Sequence, residues 1–137
     1  MGLVLDSSVL IAAEREKRPV SQVLSSLEAN YSETRMVLSS ITVVELEHGW
    51  HRANTPEAAL KRRRYLDEVL AIIPVEPFTR EMGVLAANVD ADMKKSGLVI
   101  ATADLLIGVT ALSYSYAIGT RNVRHFQMIP GLKVISL

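Results

Sequence analysis

Short apolar runs alternate with longer stretches of helical periodicity from one end of this sequence to the other. No other feature restricts the fold as much. Leu3 to Leu5 is the first run, cut off by the polar Asp6-Ser7-Ser8. Met36 to Ser39, Ile72 to Val75, Tyr116 to Gly119 and Lys133 to Ser136 read as the later strands. The segments between them are helical. Ser7 or Ser8 caps a first helix that runs to about Glu14. Pro19 suits the start of a second, with Val20, Val23, Leu24 and Leu27 at helical spacing to about Ala29. Ser40 or Thr42 starts a third that continues to Trp50. Pro56 starts a fourth, with Ala59, Leu60, Leu66, Val69 and Leu70 inward. Thr79 opens a long fifth helix, and Gly97 suits its end as a capping glycine. Thr102 opens a sixth, through Leu112. Strands separated by helices predict an α/β fold with a parallel sheet covered on both faces, whose ligand site lies beyond the carboxyl ends of the strands.

The chain has 137 residues, enough for one domain spanning 1–137 and too few for a comfortable second. Apolar residues make up 49% and aromatics only 5%, so Leu, Ile, Val and Ala must fill the core. There is no cysteine, which excludes disulfides, zinc-thiolate sites and cysteine nucleophiles. The first residues lack a basic segment, and their apolar run is broken at Asp6, which makes a poor signal peptide. No apolar stretch reaches the ~18 residues of a membrane span. A soluble, cytoplasmic protein with no membrane contact is expected. The 15 basic and 15 acidic residues cancel, but unevenly. No acid follows Asp104, whereas Arg121, Arg124, His125 and Lys133 do, and Lys61-Arg62-Arg63-Arg64 forms a basic run mid-chain. Local patches of this kind permit phosphate contacts without implying a general nucleic-acid coat.

Three acids sit at equivalent points of this pattern. Asp6 follows the first strand, Glu45 lies early in the helix after the second, and Asp104 lies in the first turn of the sixth helix. All three can project from one sheet edge, and Thr120-Arg121-Asn122 follows another strand to that edge. Two carboxylates about 4 Å apart repel by roughly 4 kcal/mol at an effective dielectric of ~20, so a cluster calls for protons or a cation. Oxygen-only ligands select hard ions such as Mg²⁺ or Mn²⁺, and such an ion with open water positions suits phosphodiester hydrolysis. Each acid also has a plain structural reading. Asp6 can cap a helix, Thr42-x-x-Glu45 fits a capping box, and Asp104 gains from a helix dipole.

The residues in order also resemble a known family. Val4-Leu5-Asp6-Ser7-Ser8-Val9-Leu10-Ile11, Ser39-Ser40-Ile41-Thr42-Val43-Val44-Glu45-Leu46 with Gly49, Ile100-Ala101-Thr102-Ala103-Asp104-Leu105-Leu106-Ile107, and Gly119-Thr120-Arg121-Asn122-Val123-Arg124-His125-Phe126 resemble the PIN-domain nucleases. They are most similar to the VapC-type toxins of toxin–antitoxin pairs. The resemblance spans nearly the whole chain. It implies a three-layer α/β/α domain with a central parallel sheet of four to five short strands, and Mg²⁺- or Mn²⁺-dependent cleavage of RNA. It also implies a VapB-type antitoxin partner and a homodimer, which would use the surplus apolar surface of the first three helices. The metal carboxylates map onto Asp6, Glu45 and Asp104, with Ser8 and Thr120 orienting them. Many relatives carry Asp where Asn122 stands. A neutral Asn is a weaker cation ligand, so one tightly held metal is expected here, with any second ion arriving with substrate.

Other residues carry weaker signals. Arg121 and Arg124, with His125, are placed to meet substrate phosphate or to form surface salt bridges. Lys61 to Arg64 reads first as a solvated face, and alternatively as a contact for RNA phosphates or an acidic partner. His48 and His51 are spaced for a zinc site, but no third ligand is evident. Asp90 and Asp92 fall on different helix faces and read as solvated. Trp50, Tyr114 and Tyr116 are candidates for base stacking or, more simply, packing. The rival functions are a DNA- or structure-specific nuclease and a binding module that keeps the fold without the chemistry. A receiver-type domain would need paired acids after the first strand and a phosphoacceptor Asp after the third; neither is present.

Overall fold

A computed structural model describes residues 1–137. The elements in chain order are β1 (Gly2–Leu5), α1 (Ser7–Arg15), α2 (Val20–Asn30), β2 (Arg35–Ser39), α3 (Ser40–His51), α4 (Pro56–Ile72), β3 (Val75–Glu76), α5 (Arg80–Lys95), α6 (Thr102–Ser113), β4 (Ala117–Thr120), α7 (Val123–Phe126) and β5 (Val134–Ser136). The five strands form one sheet in the order β3-β2-β1-β4-β5, and every pairing is parallel. The expected architecture is therefore present.

Alternation along each strand divides the interior in two. Leu3, Leu5, Met36, Leu38 and Ala117 point to one face, where Val9 and Leu10 of α1, Val20 and Val23 of α2, and Val69 of α4 cover them. Val4, Val37 and Ile118 point to the other, under Met82, Ala86 and Met93 of α5, Ile107 and Val109 of α6, and Phe126. Successive strand residues face opposite ways, so a strand buried on both sides has no polar position to spare. All four residues of β1 are buried for that reason.

The helix ends follow side-chain chemistry. Thr55 accepts a hydrogen bond from the Ala58 amide and Pro56 occupies the first helical position of α4. Thr79 accepts from the Met82 amide at the start of α5, and Gly97, at φ +74°, lets the chain turn after it. At α3 the cap is Ser39, whose hydroxyl accepts from the Ile41 amide, rather than Ser40 or Thr42.

Two local expectations are corrected. The third strand is Val75–Glu76, not 72–75. The Ile73 amide still donates to the Val69 carbonyl at 2.8 Å, so helical bonding persists until Pro74, which has no amide to continue it. Leu60 and Leu70, expected inward, are exposed. The buried stripe of α4 is Leu66, Val69 and Ile73, at helical spacing, and both leucines lie off it. Of the first three helices only α3 exposes a large apolar side chain, Val44; the rest of the surplus on helices lies on α4, at Leu60, Leu70 and Ile72, and on α5, at Val84.

Strand order reverses at β1: β2 and β3 extend the sheet to one side, β4 and β5 to the other. Such a switch point leaves a crevice at the carboxyl ends of the two central strands, here β1 and β4. Its precision depends on the α5–α7 side of the core, where Phe126 is completely buried beside Gly108. Phe126→Ala is expected to cost about 3–5 kcal/mol, the usual range for a buried Phe truncation, read as a lower urea midpoint at unchanged slope.

Candidate active site

Asp6 is the first residue past β1, and its amide donates to the Gly119 carbonyl at 2.9 Å, extending the β1–β4 ladder. Its side chain is 1% exposed. One carboxylate oxygen, Oδ2, accepts from the Ser8 hydroxyl at 2.7 Å and the Thr120 hydroxyl at 2.8 Å. Both hydroxyls are themselves held by backbone: Ser8 accepts from the Arg121 amide (3.0 Å) and Thr120 from the Asn122 amide (2.9 Å). Each hydroxyl has a single proton, and the amides occupy its acceptor side. Its proton therefore points at Asp6, and the 3.3 Å approach of the two hydroxyls is a contact and not a competing bond. Asp6 Oδ1 takes no hydrogen bond from the protein. Asp6 stands at the helix-cap position of α1 but makes no cap bond, so the helix-cap reading of this residue fails.

Glu45 reaches the same edge from α3. Its Oε1 accepts from the Ser7 hydroxyl at 3.0 Å. The capping-box reading also fails, because α3 starts at Ser40 and Thr42 is inside the helix with a buried hydroxyl that has no partner. Asp104 lies in the first turn of α6, where no side chain caps the helix, and its Oδ2 meets His125 Nδ1 at 3.0 Å. Both carboxyl groups are pushed up from their usual range. For Glu45 the cause is burial first, opposed by the Ser7 bond, then the negative charges of Asp6 and Asp104. For Asp104 it is burial, opposed by the His125 bond, then the charge of Asp6. The three carboxylates thus share one electrostatic environment. As their side chains stand, they do not converge into a ready cation cage. Glu45 is turned to Ser7 and Asp104 to His125, while Asp6 is fixed at the centre. An all-oxygen donor set of mutually repelling carboxylates, one fully buried with a free oxygen and two partly buried, fits a hard divalent cation.

The surrounding residues divide. Ser8 and Thr120 both donate to Asp6 Oδ2, and neither reaches Glu45 or Asp104. Asn122 contributes its amide to Thr120, and its exposed side chain forms no hydrogen bond. Arg121 turns away to Glu16 at 3.1 Å, an acid that also pairs with Arg18 at 3.0 Å, so its salt-bridge reading holds. That bond, with the two arginine charges, keeps the Glu16 carboxyl below its usual range. Arg124 is exposed and forms no ion pair. His51 stacks on Trp50 with ring centroids 3.7 Å apart, and no His-containing metal group forms. Asp90 pairs with Lys94 at 2.8 Å and Asp92 is exposed. Tyr114 donates to Glu76 at 3.1 Å and packs against Tyr116. Sequence reading missed Ser7 as the partner of Glu45, 38 residues away, and His125 as the partner of Asp104. Nothing local in the sequence marks either contact.

Comparison with known proteins places the chain in a family. The PIN domain family model matches residues 3–130. The chain is 31% identical to ribonuclease VapC1 of Rickettsia felis, over all of this chain and 97% of that protein. The solved VapBC-1 structure from nontypeable Haemophilus influenzae is 25% identical, with a TM-score of 0.80 over 99% of this chain and 98% of that one. VapBC2 from Rickettsia felis, solved on a DNA fragment from its promoter, shares the fold at a TM-score of 0.86, with 23% identity, over 100% of this chain and 99% of that chain. No helix here is long and apolar enough to cross a membrane. The chain belongs to the PIN-domain family and, within it, to the VapC-type ribonucleases.

Proposed function

We propose that this chain is an endoribonuclease toxin of a toxin–antitoxin pair, dependent on Mg²⁺ or Mn²⁺ and partnered by a VapB-type antitoxin. The observation that carries the reading is Asp6: buried, bonded by two hydroxyls through one oxygen, and set at the switch point where Glu45 and Asp104 feel its charge. A relative named as a ribonuclease and neighbours solved as VapBC complexes support the substrate and the partner.

Asp6, Glu45 and Asp104 are the residues that would hold the ion. A bound Mg²⁺ or Mn²⁺ would acidify a water molecule and offset phosphate charge. The chain's own contribution is positional. Ser8 and Thr120 fix the Asp6 carboxylate, so that one oxygen is committed and the other takes no hydrogen bond from the protein. Ser7 holds Glu45 on the same side. Arg124, free of an acid partner, is available to the phosphate, whereas Arg121 would first have to leave Glu16. Asn122 adds no charge, consistent with a single tightly held ion. The exposed apolar side chains of α3, α4 and α5 are assigned to a second copy of the chain and to the antitoxin.

Purified chain, free of antitoxin, is expected to cut a mixed cellular RNA pool with Mg²⁺ or Mn²⁺ and to stop with EDTA. Asp6→Asn and Asp104→Asn should abolish cutting while keeping the wild-type circular dichroism spectrum. A folded, fully active Asp104→Asn variant would overturn the site. Thr120→Val removes one hydroxyl from Asp6 and leaves the Asn122 amide unpaired. Loss of such an outer partner typically costs 10–100-fold in metal affinity or activity, and that drop should appear in a metal titration of cleavage.

Glu45 also makes a stability prediction. A carboxyl raised by folding binds its proton more tightly in the folded than in the unfolded state. Stability is therefore greatest below the ordinary Glu range and is lost as pH rises through the raised value. Glu45→Gln should raise Tm at pH 7 and lose that advantage near pH 4. An equal difference at both pH values would contradict the assignment. Mg²⁺ should raise the Tm of the wild type more than that of the variant.

A further inference from the structure

The basic run at Lys61 to Arg64 is left unused by the site described so far, yet it does not point into empty solvent. α3 and α4 are joined by a short loop and pack as a helical hairpin, which Arg62 fastens by donating to the Gly49 carbonyl at 2.7 Å. Between this hairpin and α1 runs a groove of about 350 Å³. Ile11, Leu46 and Leu66 give it an apolar floor, and Glu45 stands in its wall. Four cations line it: Arg15 and Lys17 from the end of α1, and Lys61 and Arg62 from α4. None of the four forms an ion pair, whereas Arg18 and Arg121 share Glu16. On the opposite flank of α1 a second groove, of about 490 Å³, holds Ser7, Ser8 and Asn122 and is again lined by Arg15. Arg15 therefore belongs to both grooves, one on either side of α1.

We propose that the groove between α1 and the α3–α4 hairpin carries one arm of a single-stranded RNA, with Arg15, Lys17, Lys61 and Arg62 on its phosphates. The inference rests on the ribonuclease reading above and deepens it. A strand whose scissile phosphate lies at the carboxylates must leave the site across neighbouring surface. Three acids there repel it, so cations are needed within a few ångströms on the exit path. The groove begins at Glu45 itself and supplies them. Its floor is apolar and its cations sit along the rim, the arrangement by which single strands are held: backbone on charge, bases on an apolar surface. An acidic peptide would find the same cations, but it would have no reason to extend past Glu45 into the Ser7–Ser8 groove. A polynucleotide cut at the carboxylates must do so, and Arg15 bridges the two.

The test is the salt dependence of RNA binding. Full-length wild type, the triple variant Arg15→Ala/Lys17→Ala/Lys61→Ala, and the control Lys95→Ala/Lys133→Ala would be compared. All substituted side chains are exposed, so folding is preserved. The probe is a fluorescein-labelled single-stranded RNA of mixed sequence, titrated in EDTA so that it is not cut, across a series of KCl concentrations. Each phosphate contact on a single strand contributes about −0.7 to the slope of log K against log salt. The triple variant should flatten that slope by about 2 and weaken binding, while the control keeps the wild-type slope. An unchanged slope in the triple variant overturns the proposal. So does an unchanged RNA slope with lost binding of poly-L-glutamate, which would make the groove an acidic-protein surface. Wild type that neither binds nor cuts RNA would instead overturn the ribonuclease reading itself.

Discussion

A buried carboxylate is tolerated only where hydrogen bonds or a counter-charge replace the water it has lost. In this molecule the hydroxyls of Ser8 and Thr120 do so for Asp6, and much else is arranged around that. Thr120 can reach Asp6 because β4 lies directly beside β1, in register from Leu3–Ala117 to Leu5–Gly119. Ser8 can reach it because α1 begins one residue after Asp6. The amides of Arg121 and Asn122 then hold the two hydroxyls in place, which ties the loop after β4 to the start of α1. A parallel sheet with its switch point between β1 and β4 brings these segments together, and the two apolar layers exist to hold that sheet flat against its helices.

The other two acids lack this full support. Glu45 has one hydroxyl and Asp104 one imidazole, and both remain raised by burial and by neighbouring charge. A folded protein that keeps carboxylates under repulsion gives up stability for chemistry, a common feature of sites built to receive a cation or substrate. The hydrogen bonds to Ser7 and His125 make the strained arrangement tolerable in the free protein. They also hold Glu45 and Asp104 apart from a closed cage.

Much of this was readable in the residues. Short continuous apolar runs and helical spacing gave the layers, because burial on both faces leaves a strong signature at Leu3–Leu5 and Met36–Leu38. The three acids stood out since Asp6 directly follows a strand and Glu45 and Asp104 lie early in helices that can start at the same edge, and the family resemblance named them together. What failed was local. The reading of Ile72 to Val75 as strand mistook the last helical turn of α4 for a strand, since Ile-Ile-Pro-Val suits either until the Ile73 amide finds its partner. Leu60 and Leu70 were assigned inward because they are apolar, although only the stripe through Leu66, Val69 and Ile73 meets the sheet. The Glu45–Ser7 and Asp104–His125 bonds join residues far apart in sequence, and only the tertiary fold makes them neighbours.

The uneven burial of α4 has a consequence for how such a protein can diversify. Leu66, Val69 and the adjoining Ile73 anchor the second half of the helix in the core, whereas none of residues 56–65 is buried. The anchored half fixes where the helix lies, and the free half forms a wall beside Glu45 whose side chains can change at little cost to folding. Mutation can then rewrite what the crevice admits without disturbing Asp6, Glu45 and Asp104. One helix thus separates the heritable constant of the enzyme from its variable part.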